Sequence, residues 1–165
     1  MDTLVKSLTP LFFLFFAKLC SDNVPYWFRI NYLNLCIASL LYHYSIEYDI
    51  APEYKHIFEM YDRFVITYGC SHYILNNTLQ NLPFALLIGC LSLFIQYVKQ
   101  ISYLLCCINI ITNVNIWCNI ILSIILPISW YIFITKNNEI WTTTNKIIWH
   151  ITQSLYIYLS IFKYK

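Results

Sequence analysis

Charged side chains are scarce in this sequence of 165 residues. Lysine, arginine, aspartate and glutamate together make up 11% of the chain, against about 25% in an average soluble domain. So few charges do not cover the surface of a globule in water, and large exposed apolar patches would follow. The scarcity argues against a soluble domain and favours lipid as the solvent for most of the surface.

Other absences narrow the function and the domain organisation. No basic run of five or more residues occurs and the net charge is only +2, which argues against nucleic acid as a partner. The seven cysteines form no C-x-x-C pair and mostly lie in apolar runs, where cysteine behaves as a small hydrophobic residue. No internal repeat and no low-complexity linker is present. We therefore expect a single domain over residues 1–165.

Long apolar runs are what the sequence has instead. A helix needs about 20 residues, and at least about 17, to cross about 30 Å of hydrocarbon. Seven runs, the fifth of them short, predict an all-α membrane protein: a compact seven-transmembrane-helix bundle with very short loops, integral and multi-pass, with membrane lipids as its partners. The predicted spans are Leu4–Cys20, Tyr26–Ser45, Tyr54–Leu75, Leu82–Val98, Ile101–Thr112, Ile116–Thr135 and Ile140–Phe162.

Polar side chains inside these runs are the candidates for function, because burying each one costs several kcal/mol unless it is paired. Ser39 and His43 lie four residues apart and share one face of the second predicted helix. Lys146 and His150 have the same spacing in the seventh, and Asp62 lies in the first half of the third. With three crossings between the third and seventh helices, all five side chains meet in one leaflet. This convergence is the reason for counting the short fifth run as a span.

Two imidazoles, a carboxylate and a hydroxyl at one depth are the groups of a hydrolytic zinc site. His43 and His150 are the predicted metal ligands, and Asp62 is the predicted base or water anchor. Ser39 either orients the water or Asp62, or bonds the carbonyl one turn back along its own helix. Catalytic zinc normally has three protein ligands, and Lys146 is a poor ligand while protonated.

Two further histidines lie near the ends of the third predicted helix. Side chains at helix ends reach water at little cost. We therefore expect structural roles for both His56 and His72.

The candidate residues resemble the pattern of a known superfamily. Ser39-x-x-x-His43, Asp62 and the Trp149-His150 pair are similar to motifs of alkaline ceramidases, progestin and adiponectin receptors, hemolysin III proteins and myomaker-like proteins, and most similar to the last two. The likeness covers roughly residues 35–69 and 140–160. It implies a seven-helix membrane fold and a zinc ion held by three histidines, one of which is replaced here by Lys146.

Two functions remain open at this level. One is a zinc-dependent hydrolase of a lipid amide of the ceramide type, or of a lipid ester. The other is a non-catalytic protein that acts in membrane remodelling, as a receptor-like protein or as a subunit of a complex. Such a protein would be a pseudoenzyme, in which the ammonium of Lys146 replaces the charge of the metal and pairs with Asp62. A channel is disfavoured because the polar groups cluster at one end of the predicted bundle.

Overall fold

A computed structural model describes most of residues 26–113 and a short stretch near residue 150. The described residues are 26–49, 52–76, 78–113 and 147–152, together with residues 8, 10, 11, 120, 124, 125, 128, 131 and 155. The predicted spans Leu4–Cys20, Ile116–Thr135 and Ile140–Phe162 fall mostly outside them, as does Lys146.

Four helices form the described core. Short 3-10 turns at Pro52–Tyr54 and Leu79–Asn81 precede the second and third helices, and residues 147–152 are also helical. The four are α1 (Tyr26–Tyr48), α2 (Lys55–Ile74), α3 (Leu82–Phe94) and α4 (Gln96–Asn113).

Local sequence explains where these helices begin and end. Asp49 follows α1 at φ 49° and Asn76 follows α2 at φ 67°, and these two residue types tolerate the left-handed region because their short side chains bond locally. Pro83 lies in the first turn of α3, where its missing N–H costs nothing. Ile95 is extended, with φ −121° and ψ 101°, and this single residue separates α3 from α4.

Helix α2 lies at the centre and packs against α1, α3 and α4. Helices α2 and α3 pack tightly at Gly89, where an added Cβ would lie 2.8 Å from Phe64 Cε2 and 3.1 Å from Tyr68 Cβ. Only a residue without a side chain allows this spacing, because such distances are shorter than van der Waals contact. The buried apolar side chains of the core are Phe28, Cys36, Ala38, Val65, Tyr68, Tyr73, Ala85, Tyr103, Cys107, Ile110 and Trp149.

The helical stretch 147–152 docks on this core through two neighbouring aromatic side chains. Trp149 is buried, and its ring centre lies 5.5 Å from that of Tyr103 on α4. His150 is fully buried and faces α1. The Thr152 hydroxyl donates to the Ile148 carbonyl within the same turn. This packing fixes the position of His150 relative to α1.

The predicted seven-transmembrane-helix bundle is wrong for the part of the chain that the structure describes. None of the helices in the described ranges is both long enough and apolar enough to cross a bilayer. Helix α3 is strongly apolar, but its 13 residues reach only about 20 Å. Helix α2 is 20 residues long, but it carries Glu59, Asp62 and Arg63 in its first half. The same finding overturns the predictions of a multi-pass integral membrane protein and of a membrane location.

The span boundaries in the middle of the chain are also corrected. The predicted spans Leu82–Val98 and Ile101–Thr112 have the wrong bounds, because the break between α3 and α4 falls at Ile95 and α4 begins at Gln96. Both predicted spans are apolar on all sides, so their sequence pattern carries no periodicity to locate the break. The crossing count that brought five polar residues into one leaflet therefore loses its basis.

Candidate functional site

Two histidines from distant parts of the sequence lie side by side in the interior. His43 lies near the end of α1 and is 3% exposed, and His150 lies in the stretch 147–152 and is 0% exposed. Their ring centres are 4.9 Å apart, with an angle of 76° between the ring planes. The structure therefore brings together the two predicted metal ligands.

Ser39 joins this pair from one turn earlier on α1. Its side chain is 4% exposed, and its Oγ lies 3.4 Å from His150 Nε2. This is within hydrogen-bond distance, and the tautomer of His150 decides which of the two groups donates. The i, i+4 spacing of Ser39 and His43 places both on the α1 face that meets residues 147–152.

The two imidazole rings form an edge-to-face pair, with ring centres 4.9 Å apart. Two histidines on one tetrahedral zinc, with nitrogens at about 2.0–2.1 Å from the ion, have their ring centres at a similar distance of about 5 Å. Within the described ranges, however, no group of three or more His, Cys, Asp or Glu side chains is arranged to hold a metal. The described residues thus include the two predicted ligands, and Lys146, predicted to stand where a third would be, lies outside them.

Asp62 is buried on α2 and has a partner on α4. Its Oδ2 lies 3.8 Å from Lys99 Nζ, and the two side chains are 5% and 12% exposed. The predicted partner was Lys146, which the structure does not describe. Within the described residues, the ion pair that Asp62 forms is with Lys99.

The sequence pattern alone does not single out Lys99. The residue lies between the predicted spans Leu82–Val98 and Ile101–Thr112, where a lysine needs no explanation. A usable signal is that no glycine, proline or asparagine lies between Ile95 and Ile101, so no turn is indicated around Lys99. A lysine inside a continuous helix of an apolar chain calls for a buried partner.

Burial and neighbouring charges shift two ionisable groups around Asp62. Burial lowers the pKa of Lys99, an effect that the carboxylates of Asp62 and Glu59 oppose and the Arg63 guanidinium reinforces. Burial also raises the pKa of the Tyr42 phenol, and Glu59 and Asp62 raise it further. Arg63 itself pairs with Glu59 at 3.1 Å, one turn away on α2 and closer to solvent.

Tyr42 lies next to His43 in the chain and within electrostatic range of Asp62. Its ring centre is 5.3 Å from that of His43. The Asp62 carboxylate contributes to the raised pKa of its phenol.

The other two histidines differ from each other. His56 is exposed, whereas His72 is 0% exposed and does not reach water as expected. The Asn31 side-chain amide donates to His72 Nδ1 at 3.1 Å, and His72 Nε2 donates to the Thr78 carbonyl at 3.1 Å. These bonds require the neutral tautomer protonated at Nε2, so His72 joins α1, α2 and the following loop.

Comparison with known proteins adds no relative to this arrangement. No family model, no curated protein and no solved structure matches the chain. The resemblance to the ceramidase, receptor, hemolysin III and myomaker-like superfamily accordingly stays a prediction from short motifs.

Proposed function

We propose that the chain is a zinc-dependent hydrolase of an amide or ester in a lipid-like substrate, with the ceramide type of amide as the first candidate. The observation that carries this proposal is the buried His43–His150 pair, whose ring centres are 4.9 Å apart. The Ser39 hydroxyl at 3.4 Å from His150 Nε2 supports it further. Buried imidazoles beside a hydroxyl are typical of a site that binds a metal and handles a proton.

Each residue has a separate task in this proposal. His43 and His150 hold the ion, which when bound supplies a Lewis acid for the substrate carbonyl. Ser39 has a hydroxyl that donates to a substrate oxygen or accepts from a water. Asp62, whose Oδ2 lies 3.8 Å from Lys99 Nζ, offers a carboxylate that holds or deprotonates water.

Zinc content tests the proposal directly. The full chain is purified without chelator, and its metal content is compared with that of His43→Ala, His150→Ala and the matched control His56→Ala, which alters an exposed histidine. We expect wild type and control to hold close to one zinc per chain, and the two site variants to hold less than about a tenth of an equivalent. Hydrolysis of a ceramide-type amide or a lipid ester should be lost on chelation and in both site variants. A wild-type chain that holds no zinc would refute the proposal.

A second candidate function is favoured by the Asp62–Lys99 pair. A carboxylate already balanced by a buried ammonium at 3.8 Å has less need of a metal, and the described residues contribute two metal ligands instead of three. On this reading the chain is a non-catalytic, receptor-like or subunit protein.

Substitution at position 146 separates the two functions. The sequence places Lys146 one helical turn before His150, so Lys146→His adds the third imidazole. A non-catalytic chain binds no zinc as wild type and gains it in this variant. A hydrolase binds zinc as wild type and holds it more tightly in the variant.

A further inference from the structure

Lys99 is an unusual lysine in this molecule. Its side chain is 12% exposed, although lysine is among the residues least often buried. Burial lowers its pKa despite the nearby Asp62 and Glu59 carboxylates. Lys55, at the start of α2, is exposed and serves as the reference lysine within the same chain.

We propose that Lys99 is a carbonyl-binding lysine that forms an imine with an aldehyde carrying an apolar body, with Asp62 as the counter-ion of the protonated imine. The juxtaposition of a buried amine and a buried carboxylate at 3.8 Å carries this proposal. It concerns a different reacting group and a different reaction from the zinc site, and it shares only Asp62 with that site.

The chemistry balances without an oxidant or a reductant. The Lys99 ammonium gives up two protons and the aldehyde gives up its oxygen, and these leave together as water. A C=N bond replaces the C=O bond, and the positive charge stays on the same nitrogen. The Asp62 carboxylate therefore faces a cation before and after the reaction. The attacking species is the neutral amine, whose fraction is raised by desolvation of the lysine.

The surroundings of Lys99 select the class of aldehyde. The chain that leads into α4 presents apolar side chains to the outside, with Phe94 85%, Ile95 49% and Tyr97 71% exposed. Ile95 and Tyr97 both lie within four residues of Lys99 along the chain. On the α2 side, Glu59 and Arg63 already neutralise each other at 3.1 Å. The approach thus offers apolar contact and little net charge, which favours an apolar aldehyde over an anionic one.

Reductive trapping tests the proposal on the intact chain. Zinc-stripped wild-type protein is incubated near neutral pH with decanal and cyanoborohydride, which converts an imine to a stable secondary amine, and peptide mass spectrometry locates the label. We expect Lys99 to be labelled at least about five times as fast as Lys55, because a desolvated amine has the larger neutral fraction. Removing zinc keeps this result independent of the histidine pair.

Matched variants and a second aldehyde complete the test. Lys99→Arg keeps a cation beside Asp62 but forms no imine, so it should abolish the fast labelling, whereas Lys55→Arg should preserve it. Glyoxylate, a small anionic aldehyde, should show no preference for Lys99. If Lys55 is labelled as fast as Lys99 or faster, labelling depends on solvent exposure and the proposal is overturned. This comparison uses the wild-type chain alone, so it does not depend on whether either variant folds. An equal preference with glyoxylate would overturn the assignment to apolar aldehydes.

Discussion

Replacing each of the two glycines by alanine should change stability in opposite directions. Gly69 lies in α2 and Gly89 in α3, and both are inside helices. In a helix interior alanine is favoured over glycine by about 0.5–1 kcal/mol, because glycine loses more backbone entropy on folding. The two substitutions share this gain, so any difference between them reports on packing alone.

The structure gives the size of that difference. A Cβ at Gly69 meets no atom within 4 Å, whereas a Cβ at Gly89 lies 2.8 Å from Phe64 Cε2 and 3.1 Å from Tyr68 Cβ. The Phe64 ring can move, but Tyr68 Cβ is fixed to the α2 backbone, so α2 and α3 must separate. Overpacking of this kind costs about 1–3 kcal/mol. We therefore expect Gly69→Ala to stabilise by about 0.5–1 kcal/mol and Gly89→Ala to destabilise by up to about 2 kcal/mol.

Thermal or urea unfolding followed by far-UV circular dichroism measures both effects. For a chain of this size about 1 kcal/mol shifts the melting temperature by about 2–4 °C, so the two variants should melt on opposite sides of wild type. If Gly89→Ala proves as stable as Gly69→Ala, the close packing of α3 on α2 is refuted.

Three further predictions concern buried polar groups. Lys99→Met leaves the Asp62 carboxylate buried without its ammonium and should cost about 3–5 kcal/mol, most of which the double variant Lys99→Met/Asp62→Leu should recover. Burial lowers the pKa of Lys99, so the folded chain loses the Lys99 proton at a lower pH than the unfolded chain does. Wild type should therefore gain stability relative to Lys99→Met as the pH rises towards 10.5, the ordinary pKa of lysine. A stability difference that stays constant over that pH range would contradict the lowered pKa. His72→Phe removes the partner of the Asn31 amide and should destabilise by about 1–3 kcal/mol in urea unfolding, whereas the exposed His56→Ala should change stability by less than about 0.5 kcal/mol.

The sequence was most informative where turn residues interrupt it. The pattern predicts helices over Tyr26–Ser45 and Tyr54–Leu75, and α1 and α2 run over Tyr26–Tyr48 and Lys55–Ile74. Polar and proline-containing connections bound both segments, so the ends of these helices can be predicted from the sequence. No turn residue or polar stretch indicates the break at Ile95. Any residue can adopt an extended backbone, and the apolar pattern continues on both sides of Ile95.

The same limit explains the wrong prediction of a membrane bundle. Composition records how much apolar surface a chain has, but crossing a bilayer also requires that surface to lie on one helix of sufficient length. Helix α3 shows the difference, because the helix ends after 13 residues although the apolar sequence continues. In the candidate site, local spacing was enough to align Ser39 with His43. The contact of His43 with His150 and the ion pair of Asp62 with Lys99 depend on tertiary packing, which no local sequence pattern encodes.

The distance along the chain between Ser39 and His150, 111 residues, also bears on how the molecule is made. At about 5–20 residues per second, a ribosome needs roughly 5–20 s to proceed from the first to the second. Helices α1 to α4 are adjacent in sequence and can pair with one another during that interval, since local contacts form quickly. The polar face of α1 is synthesised long before the imidazole that covers it. Assembly of the histidine pair is therefore a late folding event, and a nascent chain arrested before residue 150 would carry the helical core with an open site.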